Sequence, residues 1–177
     1  MDRGKLLKQL DKAWVAFKES YAGLTEAQLL EPGVTGRWSI RDIIAHVTTW
    51  EEEALEHLPA ILAGRRPPRY SVRYGGIDAF NALMTKRKED LSLAEVFRQL
   101  DDTHQRLIDL IERVPEDQLI RETRFRRRLR LDTYGHYPKH GEAIRRWREQ
   151  RSVGRRAPRK PAPKGRHRRA WGVSPRS

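Results

Sequence analysis

The 177-residue chain contains no cysteine. That excludes a disulfide framework, a Cys-ligated zinc and a thiol nucleophile. It has no apolar run near the roughly 18–20 residues that a membrane span needs. It also lacks a phosphate-cradling glycine loop, a dinucleotide fingerprint and a βαβ alternation. No helix-turn-helix, zinc-finger or RNP pattern is present to read a nucleic-acid sequence. The opening segment, MDRGKLLKQLDKAW, has no signal-peptide apolar stretch. These absences lead us to expect a soluble, cytoplasmic protein with no membrane partner.

Acidic residues are missing from one end. Residues 151–177 hold ten Lys and Arg and no Asp or Glu, while the whole chain carries a formal +13. Residues 1–150 are therefore close to balanced. The end segment is rich in Arg, Pro and Gly and has few large apolar side chains, so it is expected to be a disordered basic tail after a domain at 1–150. Two readings of it stand: non-specific phosphate binding, or no function. A second basic cluster, Arg121–Arg130, reads as a two-stranded connection or an irregular loop.

What the domain has is helical periodicity. Leu7, Leu10, Trp14, Phe17 and Tyr21 form one stripe at three-to-four spacing. Ser39 starts a second helix as its N-cap, with Asp42 in the first turn. Ile40, Ile43, Ile44, Val47, Trp50, Ala54 and Leu58 continue that stripe, Pro59 bends its end, and Gly64 with Pro67 and Pro68 stops it. A loop-rich stretch follows, then a third pattern from about Ile77 that breaks near Leu91. It restarts at the capping box Ser92–Glu95 and ends at Pro115. The last helix spans approximately Thr133–Gln150, with Ile144 and Trp147 inward. The fragments Leu24–Leu29 and Val114–Leu119 resemble each other, each following a helix. The expected fold is all-α, an up-down four-helix bundle with long loops.

The histidines carry the candidate chemistry. His136 and His140 are spaced i, i+4, which puts both rings on one helical face where they can share a metal ion. Pro138 lies between them, so either the helix starts close to His136 or it is distorted there. His46 borders the second helix's apolar stripe, and taken by itself reads as a core-edge histidine. His104 sits at the centre of its apolar face and reads as a satisfied core residue or a pocket liner. His57 reads as solvated. Glu51 falls within an apolar stripe. If buried it needs a partner; a partly exposed stripe-edge position is the plainer expectation.

The run from Gly36 to Glu51, with Trp38, Ser39, Asp42, His46 and Trp50 as its marks, resembles the second-helix signature of the DinB/YfiT-like superfamily of four-helix-bundle metalloenzymes. The leading Leu10–Trp14 pair, His136-Tyr137 and the run Ile144–Arg148 are similar to the ClbS/DfsB-like branch. The resemblance covers roughly residues 4–150. It implies that His46, His136 and His140 bind a divalent metal, for which zinc and nickel both suit. Pro138 departs from the usual pattern.

The resemblance further implies a small-molecule substrate, with water or a thiol attacking an electrophile, as in detoxification or self-protection. Glu51 or His104 would then serve as base or orienter, and the protein would pair as a homodimer. The alternative is a non-catalytic bundle whose basic tail binds nucleic acid without sequence preference.

Overall fold

A computed structural model describes residues 2–156. Four long helices make the bundle: α1 (Arg3–Tyr21), α3 (Ile40–Leu62), α6 (Leu93–Arg113) and α9 (Tyr137–Arg156). α1 packs on α9 and α3 on α6. The shorter helices are α2 (Glu26–Leu30), α4 (Tyr70–Arg73), α5 (Ile77–Arg87), α7 (Glu116–Ile120) and α8 (Arg124–Asp132). Among the described residues there is no strand, and no helix is long and apolar enough to cross a membrane.

Local chemistry sets where the helices start. Thr25–Gln28, Ser39–Asp42 and Ser92–Glu95 each form a reciprocal capping box, which satisfies two otherwise orphaned backbone donors. The apolar stripes then bury. Leu6, Leu10, Ile43, Ile44, Leu58, Leu100, Leu107 and Ile144 are all fully sealed, each contributing roughly 1.5–3 kcal/mol. The two similar fragments become α2 and α7, and each docks one leucine, Leu29 or Leu119, into the core.

Arg41, on the signature run, is buried and joins α3 to the α5–α6 loop. Its Nη2 donates to the carbonyls of Lys88, Glu89 and Leu91 at 2.6, 2.8 and 2.5 Å. Those carbonyls lie at the negative end of α5, where a cation is favoured.

Three expectations need correction. Residues 124–132 are helical. Phe125, Leu129 and Asp132 are buried at i, i+4, i+7 while Leu131 is 67 % exposed. The apparent alternation came from Leu131, which does not face the core.

His57 is buried, because α4 and α8 cover that side of α3 and supply Tyr70 and Arg128 beside its partner Glu53.

The last helix starts at Tyr137 rather than Thr133, since Gly135 and Thr133 form a turn first. It runs past Gln150 to Arg156. Arg151 extends it by pairing with Glu31 and lying over the Trp147 ring. The basic residues beyond 156 lie outside the described residues.

Candidate metal centre

The turn that precedes α9 positions His136. Its N–H donates to Thr133 O at 2.6 Å, and Gly135 N–H donates to Arg130 O at 2.9 Å. A Cβ on Gly135 would lie 2.7 Å from that carbonyl, so only glycine fits. Pro138 falls in the first turn of α9, where its missing N–H has no intrahelical acceptor to lose. The His136/His140 pair therefore straddles the helix start and still brings its rings together.

His46 reaches the same point from α3. Its Nε2 lies 3.3 Å from Nε2 of His136, which lies 2.9 Å from Nε2 of His140. All three sites lie within 4.8 Å of one another. A tetrahedral ion with metal–nitrogen bonds of ~2.0–2.1 Å sets neighbouring nitrogens ~3.3–3.4 Å apart. One pair matches that spacing and the other is slightly tighter.

Burial holds all three imidazoles neutral. It lowers His46 to about 3, His136 to about 2 and His140 to about 4, assisted by His140 at the first two and by Lys139 at the last two. Neutral imidazole is the form that ligates. A proton on one nitrogen serves a single contact, whereas a cation serves all three. Among the described residues no carboxylate touches the ring nitrogens, and His136 Nδ1 is buried without a partner. The residues thus fit a divalent ion of the nitrogen-preferring kind.

A cavity of about 350 Å³ opens beside the cluster. His46, His136 and Trp50 line it, together with the polar Tyr70, Asn81, Arg128 and Asp132 and the apolar Ile77 and Leu131. That polar lining belongs to a network the sequence reading missed. Glu53 Oε2 faces His57 Nε2 at 3.1 Å and accepts from the Tyr70 hydroxyl. Arg128 donates to Tyr70 at 2.8 Å and to Asp132. Burial pushes the Asp132 carboxyl up to about 7, against the pull of Arg128. The available signals were two i, i+4 pairs, Glu53/His57 and Arg128/Asp132. The second was invisible once 121–130 read as non-helical.

Glu51 and His104 occupy a different place. Glu51 is fully sealed rather than partly exposed, and its Oε1 accepts from His104 Nδ1 at 2.9 Å and from the Tyr137 hydroxyl. Trp14 stacks flat on His104 at 3.7 Å. Burial raises the Glu51 carboxyl, and His104 and Tyr137 oppose it. Neither Glu51 nor His104 lines any of the described cavities. Their connection to the histidine cluster runs through Tyr137, the residue after His136.

A family model of the DinB superfamily matches residues 9–147. The chain belongs to the DinB superfamily. Its bundle matches that of DfsB, a sibling lethal factor precursor, at TM-score 0.72 and 18 % identity, over 85 % of this chain and 97 % of the other. It matches the colibactin self-resistance protein ClbS, solved in complex with double-stranded DNA, at TM-score 0.71 and 18 % identity, over 84 % and 96 %. An uncharacterised protein of Escherichia coli UTI89 matches at TM-score 0.69 and 14 % identity, over 85 % and 95 %. At these identities the likeness establishes a shared DinB-type fold. No curated protein sequence matches the chain.

Proposed function

We propose that this DinB-superfamily chain is a metal-dependent hydrolase or thiol transferase that acts on a small electrophile, in a detoxifying or self-protective role. The observation that carries it is the convergence of three neutral imidazole nitrogens, two of them, on His46 and His136, in the lining of a cavity large enough for a small molecule. His46, His136 and His140 would hold the ion. Three protein ligands leave coordination open, the pattern of catalytic rather than structural sites. A divalent ion there supplies Lewis acidity to a water or thiol nucleophile.

The chain's own residues supply the rest. Trp50 and Tyr70 offer ring faces to the substrate and exclude water. Glu51 and His104 act as positioning residues, since the bonds of Glu51 to Tyr137 anchor the backbone that carries His136. The self-resistance role of ClbS, which has the same fold, supports the protective assignment.

Elemental analysis of the purified chain tests the proposal. Near-stoichiometric zinc or nickel in the wild type, lost in His46→Ala, is the expected result. Absence of metal from the wild type, or its retention in the variant, sinks the site.

One observation favours nucleic acid as a second partner. Arg65, Arg66, Arg69, Arg121 and Arg127 are exposed on the 64–69 loop and around α8. Arg124 links the two segments by donating to Gly64 O at 3.3 Å. This basic face lies next to the cavity edge at Leu131, and ClbS was solved with double-stranded DNA. Binding to a DNA duplex should weaken steeply with salt, and Arg66→Ala/Arg127→Ala should lower that salt slope by about two. A slope unchanged by the pair of substitutions refutes the assignment of this face.

A further inference from the structure

The polar lining of the cavity is short of donors rather than of acceptors. Arg128 is the one arginine or lysine on it, and its charge is already shared. Its Nε donates to Asp132, its Nη2 donates to Tyr70 at 2.8 Å, and the same nitrogen lies 3.9 Å from Glu53 Oε2. One guanidinium therefore serves two buried carboxylates, Asp132 and Glu53. The Tyr70 hydroxyl is also used, since it donates to Glu53 while accepting from Arg128. In the same lining the Nε2 atoms of His46 and His136 face one another.

What is left unused is an acceptor. Asn81 Oδ1 is buried and has no hydrogen-bond partner. Asp132, 2 % exposed, lines the same cavity. A buried acceptor without a donor is costly, and a buried carboxylate with half a counter-charge more so. Burial raises the Asp132 pKa noted above, and the neighbouring Glu53 adds to it against the pull of Arg128. Trp50 and Tyr70, with ring centroids 5.6 Å apart, add aromatic faces that attract a cation or a planar group.

We propose that Asn81 and Asp132 form a recognition subsite for a planar N–H donor group on the substrate, with an amidinium-like cation preferred over a neutral carboxamide and a carboxylate rejected. Asn81 Oδ1 accepts one N–H and the Asp132 carboxylate accepts another and balances the charge. The inference rests on reading the cavity as the substrate site of the histidine centre, and it names the chemistry of the substrate group that Asn81 and Asp132 would hold.

The test titrates benzamidinium, benzamide and benzoate into the full-length chain, with and without zinc, following the Trp50 indole N–H by NMR. Benzamidinium should bind about tenfold tighter than benzoate, with benzamide between them. Asp132→Asn should erase the gap between benzamidinium and benzamide. Asn81→Leu should weaken both by about fivefold and leave benzoate unchanged. Lys5→Ala, remote and exposed, should change none of them.

Benzoate binding as tightly as benzamidinium overturns the proposal, because Arg128 would then be the reading group. So does a gap that survives in folded Asp132→Asn, or a wild type that binds none of the three. A chain that keeps the expected order yet takes up no zinc refutes the metal reading alone. A zinc-binding chain that prefers benzoate refutes the subsite alone.

Discussion

Two buried polar clusters lie one residue apart in the chain, at His136 and Tyr137, and they are satisfied in opposite ways. Around Tyr137 a carboxylate faces donors: Glu51 Oε1 takes His104 and the Tyr137 hydroxyl, Trp14 caps the imidazole, and the group is sealed. Around His136 three imidazoles face one another with no anion among them, and a cavity opens beside them. The first cluster satisfies Glu51 Oε1 with protein donors and leaves only its second oxygen, Oε2, buried without a partner. The second would be completed by the cation proposed above. The contrast teaches that burial alone does not mark a site; the sign of what is unsatisfied does.

Metal addition separates the two most strongly. Zinc at a thousandfold its Kd should stabilise the wild type by about 4 kcal/mol, read as a rise in Tm, and should leave His46→Ala where it was. An equal rise in both proteins would mean that zinc binds elsewhere. Glu51→Ala comes next. It leaves the donors of His104 and Tyr137 stranded in a sealed core and should cost about 3 kcal/mol in urea unfolding. A loss below about 1 kcal/mol would show that water enters and that the two clusters are not so different.

Acidification gives the smallest effect. The histidines have folded pKa values near 3, 2 and 4 against 6.5 for the free side chain. The unfolded chain therefore binds more protons below about pH 6.5, and the native state loses stability as pH falls through that window. Asp132 works the other way, with its pKa raised from 3.8 to about 7, and so does Glu51. Comparing metal-free wild type with His46→Phe removes those shared contributions. The variant should gain on the wild type by about 1 kcal/mol per pH unit below pH 6.5. Parallel stability curves would show that His46 is not held neutral.

The sequence reading located the bundle because its signals are local. Stripes at three-to-four spacing, the N-cap at Ser39 and the capping box at Ser92 act within a few residues, and they appear as read. It also singled out His46, His136 and His140, and the fold brings these three together. It misread α8 because nine residues rich in arginine have little apolar content. Phe125 and Leu129 earn their burial only by docking against α3. His57 was misplaced for the same reason, since the helices that cover it lie far along the chain.

By itself the sequence determined the helices, their caps and the histidines with ligating spacing, since each follows from neighbours within a turn or two. Tertiary structure decided which buried polar groups meet. It paired Glu51 with His104 and Tyr137, and it set Asp132 and Arg128 in the lining of the same cavity as His46. Those meetings span tens of residues, and whether a buried charge finds a partner or waits for a ligand depends on packing that no local pattern encodes.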